Sequence, residues 1–207
     1  PLPVVGPHGG AEPEIDVDTT EIGRTLYQAL WNAGQEASFV PLVNGLVAAL
    51  DKAGLHVGRM QLPLVRDRGF RHPTLAALLL TWTDTNKGSS AEAITHEQAR
   101  QRADDPVSRS PYWQPLRTGK PFLATLSDDT GFKILDQLHA EGYRSYVVLP
   151  IPTGKPSQFQ PLSIASRQSF PDDLFARLDR LTPMLSMTIY GAYRASQAIT
   201  LANAYIG

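Results

Sequence analysis

Residues that could do chemistry are scattered along this 207-residue sequence, and few have the spacing that a catalytic or metal site requires. Two acidic pairs, Asp104-Asp105 and Asp128-Asp129, could supply paired carboxylates for acid–base work, but each stands beside proline or Thr-Gly, which is typical of turns and caps. The histidines share no metal-ligand spacing with one another or with carboxylates. They are His8, His56, His72, His96 and His139. We therefore predict no catalytic residue and no metal site.

Composition narrows the possible classes further. The sequence has no cysteine, which excludes a disulfide scaffold, thiolate metal ligands and a cysteine nucleophile, and disfavours a thiol-dependent reductase. Its net charge of -1 gives no overall positive field for nucleic acid. The longest apolar run, Leu75–Leu80, is far shorter than the ~20 residues of a membrane span. We expect a cytoplasmic protein without a membrane span or nucleic-acid partner.

A small-molecule site is indicated by aromatic and arginine side chains that would need partners if they were buried. These candidates are Arg59, Trp82, Tyr112, Trp113, Tyr146 and Arg167. We expect them to line a cavity between a sheet and its covering helices, where such pockets usually lie. Alternatively, the rings belong to the core and the arginines face solvent. No cofactor is predicted, and the ligand is left unknown.

The elements that would position these residues begin with two adjacent helices. The first is predicted to be capped by Thr19 or Thr20 and to end near Gly34, and the second spans Ser38–Lys52. Alternation then predicts strands over 55–62 and 75–83, joined by a charged tip. The polar stretch 86–105 is predicted as a loop with a short helix over 92–102.

The second half of the chain continues the mixed pattern. The predicted elements are a short helix capped by Ser110, a strand over 122–126, a helix over 132–139 ended by Gly142, strands over 146–151 and 159–167, and a long helix from about Pro171 to the end. Helices, a hairpin and two late strands together predict an α+β domain built around an antiparallel sheet.

The C-terminal helix carries a heptad seam, meaning apolar positions spaced alternately by four and three residues over ~4–5 repeats. The seam consists of Leu174, Leu178, Leu181, Leu185, Thr188, Ala192, Ala195, Ile199, Ala202 and Ile206. Such a seam favours packing of two helices across a dimer axis. The alternative is that 174–185 cover the domain's own sheet, with Pro183 dividing the helix by a kink.

Several short stretches, in order, resemble the N-terminal GAF-like regulatory region that precedes the catalytic domain of bacterial class III adenylate cyclases. The helix-to-strand passage Phe132–Pro152 includes Glu141–Pro150, which is similar to the family's small residue, tyrosine and leucine-proline pattern. Gln168-Ser169 departs from a glycine-rich turn of the family. The other matching stretches are Ala53–Arg59, His72-Pro73, Ser110–Tyr112, Leu162–Arg167, Phe170–Leu174, Leu181–Pro183 and Ala204–Gly207.

The resemblance implies a GAF fold, an antiparallel sheet flanked by helices, whose last helix leads into a cyclase domain. Tyr205 and Gly207 would mark the transmitting end. Because class III cyclases complete their active sites between two protomers, the resemblance also implies a homodimer. We expect an N-terminal tail (1–18), a sensory domain (19–185) and a signalling helix (186–207), in a regulatory rather than catalytic fragment. A module that binds a small ligand and regulates another output domain is the alternative.

Overall fold

The computed structural model describes residues 18–36, 38–65, 75–86, 88–98, 101, 111, 113–128, 130–153 and 159–206, with the backbone alone for 65, 75, 113 and 196–206. Residues 1–17 of the predicted tail (1–18), the hairpin tip (66–74), Ser110 and Tyr112 lie outside this part. The elements are α1 Thr19–Glu36, α2 Val40–Lys52, β1 Arg59–Val65, β2 Leu75–Thr83, β3 Gly88–Thr95, α3 Trp113–Thr118, β4 Phe122–Thr125, α4 Lys133–Ala140, β5 Ser145–Pro152, β6 Phe159–Ser166 and α5 Leu174–Ile206.

The strands form one six-stranded sheet in the order β3-β2-β1-β6-β5-β4. Every neighbouring pair is antiparallel. The predicted class, an α+β antiparallel sheet flanked by helices with a long C-terminal helix, is confirmed. Because side chains alternate along a strand, the register divides the sheet into two faces with separate cores.

The larger core lies between one face of the sheet and α1, α2 and α5. Met60, Leu62 and Leu64 of β1 point to this face and are buried with Leu46 and Leu50 of α2. Among the described residues, no helix is both long and apolar enough to span a membrane.

The opposite face carries a smaller core beneath α4. Leu135 and Leu138 of α4 are buried there with Tyr143, Tyr146 and Val148. Gly142 ends this helix in the left-handed region, at φ +89°, and its N–H donates to the His139 carbonyl at 2.9 Å. The predicted helix end at Gly142 is confirmed.

Two local predictions are wrong. The stretch 86–105, predicted as a loop with a helix over 92–102, instead contains strand β3, which pairs with β2, and only 96–98 and 101 of the predicted helix are helical among its described residues. β3 has few strand-forming residues. It is an edge strand, and backbone hydrogen bonds to β2 hold it in place rather than side-chain packing. The cap of α1 is Asp18, whose Oδ1 accepts from the N–H groups of Thr20 and Glu21 at 3.0 and 2.9 Å.

Glycines allow the helices of the larger core to approach closely. A Cβ on Gly45 of α2 would lie 2.1 Å from the Ala29 Cβ of α1. Two further contacts join α1 to α5: a Cβ on Gly23 would lie 3.3 Å from Met184 Sδ, and one on Gly191 would lie 3.1 Å from Leu30 Cδ2. Because these contacts are seven residues apart on both helices, α1 and α5 run parallel.

The heptad seam of α5 is largely buried within its own chain. Its positions from Leu174 through Ala192 are buried, and Ile189 and Tyr193 beside them also pack in the larger core. Ala195 is exposed, and Ile199, Ala202 and Ile206 lie in the helix. The helix continues through Pro183 and past Leu185. The boundary at 185 between a sensory domain and a signalling helix stays a prediction.

Candidate functional site

A cleft opens between α4 and the sheet, on the face opposite α1, α2 and α5. Its cavity volume is about 10 Å³, which is room for about one water molecule. We call it the α4 cleft. Its lining residues are Arg59, Gln61, Ile134, Leu138, Tyr146, Ser163 and Ala165.

Strand register brings the sheet side of this cleft together. Arg59 of β1 lies opposite Ala165 of β6, which in turn lies opposite Tyr146 of β5. Gln61 lies opposite Ser163 in the same way. Because these residues alternate with core residues along their strands, all of them point towards α4.

Helix α4 supplies the apolar wall. Ile134 and Leu138 are one turn apart and therefore lie on the same side of the helix. The preceding loop is tied to the helix by Asp136, whose Oδ1 accepts from Thr130 N and Oγ1 at 3.0 and 2.7 Å. These bonds, first that from the Thr130 N–H, hold the pKa of the Asp136 carboxyl below its usual value.

Arg59 is the cationic group of the cleft lining. Its Nη1 lies 3.4 Å from Glu141 Oε2, and the two side chains are 25% and 53% exposed. This distance exceeds the ~2.7–2.9 Å of a strong charge-assisted hydrogen bond. Arg59 is therefore a half-buried guanidinium with a loosely held carboxylate beside the cleft.

Next to the cleft, Arg167 forms a tighter arrangement, which we call the Arg167 cluster. Its Nε and Nη2 donate to the two carboxylate oxygens of Asp84 at 2.6 and 3.2 Å, and its Nη1 donates to the Glu141 carbonyl at 2.8 Å. The guanidinium carbon also lies 4.6 Å from the centre of the Tyr143 ring, within cation–π range. The cluster joins the β2–β3 turn, the α4–β5 connection and the end of β6.

Titration of the cluster follows from these contacts. The hydrogen bond from Arg167, with its positive charge, holds the pKa of the Asp84 carboxyl below its usual value, although partial burial opposes this. Burial raises the pKa of Tyr143, and the nearby Asp84 charge raises it further. The Tyr143 hydroxyl lies 3.3 Å from Asp84 Oδ1 and 3.4 Å from the Gly58 carbonyl. Asp84 is thus ionised and paired at neutral pH.

The structure brings only some of the sequence-predicted ligand residues together. Arg59 and Tyr146 both line the α4 cleft, and Arg167 lies beside it in its own cluster. Trp82 pairs with Met60 across the β1–β2 ladder and packs against the larger core, on the opposite face. Trp113 begins α3, with its side chain not described.

Sequence reasoning missed several residues of this region. Ile134 and Leu138 were assigned only to the helix face, and Asp84 and Glu141 were not singled out as partners of the arginines. The available signal was their charge, since a half-buried arginine needs an acidic neighbour. The sequence did not reveal which acid meets which arginine, because these pairs are 82 and 83 residues apart.

Other candidate groups of the sequence occupy separate places. Asp128 Oδ1 lies 2.9 Å from His139 Nδ1 near the end of α4. The pair 104–105 and Asp129 lie outside the described residues. Within the described ranges, no three histidine, aspartate or glutamate side chains are placed to hold one metal ion.

Solved structures similar to this chain are GAF domains. One belongs to a two-component sensor histidine kinase from Bacillus halodurans, with 22% identity, a TM-score of 0.47, and coverage of 72% of this chain and 92% of that one. The A. aeolicus nlh2 GAF domain in an inactive state has 11% identity, a TM-score of 0.39 and coverage of 86% and 98%. The blue-light-absorbing form of the Thermosynechococcus elongatus PixJ GAF domain has 14% identity, a TM-score of 0.38 and coverage of 89% and 94%.

No protein-family model matches the sequence, and no curated protein matches it.

Proposed function

We propose that this chain is a non-catalytic, GAF-like regulatory domain of a class III adenylate cyclase, which relays its state to a downstream cyclase domain through α5. The sequence resemblance described above supports the cyclase part. The relay part is supported by α5 itself, which is buried in the core from Leu174 to Tyr193 and continues as a helix to Ile206. A rearrangement of the core would move the part of such a helix that follows Tyr193.

Self-association is supported by an exposed apolar surface on the parallel helices α1 and α5. Tyr27 and Trp31 lie one turn apart on α1 and are 66% and 54% exposed. Met187 and Tyr190 lie one turn apart on α5 and are 76% and 38% exposed. We call these four residues the α1–α5 patch. It holds four of the seven large hydrophobic side chains that are exposed in the described part of the chain.

The proposed partner on this patch is a second copy of the chain. The contacts of Gly23 with Met184 and of Gly191 with Leu30 place the two halves of the patch at the same height along the pair. An isologous dimer would cover the four side chains of each copy at once. This partly revises the prediction from the seam: the dimer still uses α5, but through its outer side, because the seam from 174 to 192 is covered by its own chain.

Sedimentation velocity over a concentration series tests the dimer. We expect the chain to dimerise, and Trp31→Glu and Met187→Glu each to shift it to monomer. Leu123→Glu is the matched control, since Leu123 is an exposed apolar residue on the edge strand β4, away from α1 and α5. A monomer at all concentrations, or a dimer unaffected by both patch variants, would contradict the proposal.

The cyclase part has its own test. We expect the encoding gene, read beyond Gly207, to specify a class III cyclase catalytic domain, and the longer protein to convert ATP to cyclic AMP. Patch variants should lower that activity, because the active sites form between two protomers. A different output domain would refute the cyclase assignment while leaving the relay through α5 to be judged by sedimentation.

A second candidate function, binding of a small molecule, is supported by Arg59 and Tyr146, two of the predicted ligand residues, which line the α4 cleft together. Thermal shift with a panel of cyclic nucleotides and common metabolites tests it, since a ligand at ~100 times its Kd adds about 2.7 kcal/mol of stability. No shift with any compound would favour a purely structural relay.

A further inference from the structure

We propose that Arg167 couples the end of α4 to the beginning of α5, so that a displacement of α4 reaches α5 around the end of the sheet. This inference rests on the relay through α5 in the proposed function. It adds the side chain that transmits the displacement and the element from which the displacement comes.

Arg167 stands where the chain leaves the sheet for α5. It follows β6 directly, and residues 168–173 separate it from Leu174, the first residue of α5. Within this connection Phe170 packs against the larger core, and the Leu174 N–H donates to the Pro171 carbonyl at 3.0 Å. Because the connection is short and held at these two points, a shift of the Arg167 backbone changes the position at which α5 begins.

The side chain of Arg167 reaches the C-terminal end of α4. Its Nη1 donates to the carbonyl of Glu141, the residue that caps α4, at 2.8 Å. The last carbonyls of a helix have no partner within the helix and carry its partial negative charge, so a guanidinium is a favourable partner for them. Gly142 makes room for this contact, because a Cβ there would lie 3.0 Å from the same Nη1. The end of α4 is therefore fastened to Arg167.

Two further contacts limit rotation of the Arg167 guanidinium. Asp84 accepts from its Nε and Nη2, and the buried Tyr143 ring lies against its face. A planar guanidinium that is held along its edge and on one face cannot turn freely to follow the Glu141 carbonyl. When α4 moves, the displacement therefore passes to the Arg167 backbone instead of being absorbed by rotation of the side chain.

A route through the sheet is less direct. α4 packs on the smaller core and α5 on the larger one, and these two cores share none of the described residues. The strands between them are held in antiparallel ladders, so a displacement through the sheet would have to move whole strands. Ala165 lies opposite both Arg59 and Tyr146. Arg167 follows at this end of the sheet, where a side chain can reach past the strands.

Two substitutions in α4 supply the displacement for a test. Ile134→Ala and Leu135→Ala each shorten a side chain that packs in the smaller core, so α4 should shift against the sheet. NMR of the full chain follows the backbone amides of 133–140, which report the response of α4, and those of 174–181, which report the response of α5. We expect both substitutions to move both sets of signals in the otherwise unsubstituted chain.

Removing the bridge should interrupt this response. In the Arg167→Gln background we expect the α5 shifts caused by Ile134→Ala to be at least about twofold smaller, because distant sites act independently once their shared partner is lost. Arg144→Gln is the matched control. Arg144 also meets the end of α4, with its Nη1 3.2 Å from His139 Nε2, but it precedes β5 rather than α5. In that background the α5 shifts should keep their size.

The comparison separates coupling from a merely structural role of Arg167. A structural role would lower the stability of the Arg167→Gln chain and leave the shifts caused by Ile134→Ala unchanged. Arg167→Lys is a second variant in case Arg167→Gln does not fold. It keeps a positive charge beside Asp84, but a lysine lacks the fork that meets a carboxylate and the Glu141 carbonyl together. We expect Arg167→Lys to reduce the α5 response as well.

The contrary results are distinct. If neither α4 substitution moves the α5 signals, or if the signals move equally in the Arg167→Gln background, Arg167 does not couple the two helices. A full response in the Arg167→Lys background would overturn the bridge, because the charge pair alone would then suffice. Each of these results leaves the relay through α5 standing, with its contacts in the larger core as the route. A monomer in sedimentation would remove the proposed dimer without affecting a coupling that is measured within one chain.

Discussion

Asp84 follows β2 and Arg167 follows β6, and the pairing of these two residues makes the stability of the domain depend on pH. Because the pKa of Asp84 is lowered in the folded chain, its stabilising contribution is complete above the ordinary aspartate pKa of about 3.9 and is lost as the pH falls through the lowered value. We expect Asp84→Asn to cost about 1 kcal/mol near neutral pH, a hydrogen-bond-sized effect reduced by the solvent exposure of Arg167.

Denaturant unfolding at pH 7 and pH 3 measures this effect. The difference between the parent chain and Asp84→Asn should be largest at pH 7 and smaller at pH 3. Asp179→Asn is the control, since Asp179 is exposed on α5. An Asp84→Asn effect of the same size at both pH values would argue against a contribution from the charge.

Helix–helix packing gives a sharper expectation at Gly45. Alanine there would place its Cβ 2.1 Å from the Ala29 Cβ, so α1 and α2 would have to separate. We expect Gly45→Ala to lower the free energy of unfolding by about 1–3 kcal/mol, the usual cost of overpacking. Chemical denaturation measures the change.

Gly34 provides the matched control for this prediction. It also lies in a helix, α1, but a Cβ there meets no atom within 4 Å. Gly34→Ala should stabilise the chain by about 0.5–1 kcal/mol through helix propensity alone. If both alanines had the same effect, close contact between α1 and α2 would not be the cause.

The elements were largely predictable from the sequence, since apolar periodicity located the strands of the hairpin, β4, β5, β6 and the helices on both sides of them. Strand β3 was not, because Gly-Ser-Ser-Ala-Glu carries no hydrophobic alternation and forms a strand only by pairing with β2. The partner of the α5 seam was not predictable either. A row of leucines at helical spacing looks the same whether it packs on its own sheet or on a second chain.

The sequence predicted the kind of residues that line the α4 cleft, but not the full set of residues that line it. The sequence indicated aromatic and arginine residues near a sheet, and Arg59 and Tyr146 do share the cleft. Strand register decided the rest, because Met60 pairs with Trp82 and this places Trp82 on the other face. A shift of one residue in that ladder would have exchanged the two faces, and composition does not encode the register.

The way α5 is anchored in the domain determines how much of it can be removed. Its contacts with the larger core continue to Ile189, Ala192 and Tyr193, beyond the predicted boundary at Leu185. We expect a chain that ends at Arg194 to unfold cooperatively at nearly the temperature of the full chain. A chain that ends at Leu185 should lose on the order of 5 kcal/mol, because removing one buried side chain such as Ile189 already costs ~2–5 kcal/mol.

Thermal unfolding followed by circular dichroism compares the two truncated chains. Equal stability of both would mean that α5 separates from the domain at Leu185, as the sequence-based division proposes. Loss of cooperative unfolding in the longer truncated chain would instead assign a structural role to the residues after Arg194.

Gly23 of α1 and Gly191 of α5 each leave a hollow that a side chain of the other helix fills, and these two contacts restrict the kinds of motion that α5 can transmit. Met184 sits against Gly23 and Leu30 sits against Gly191, so each helix carries one bulky side chain and one hollow, two turns apart. Sliding α5 along its axis would lift both side chains out of their hollows at the same moment and press them against residues that have side chains. Tilting about either hollow keeps one of them seated. The geometry therefore opposes sliding of α5 along its axis and leaves tilting as the easier displacement.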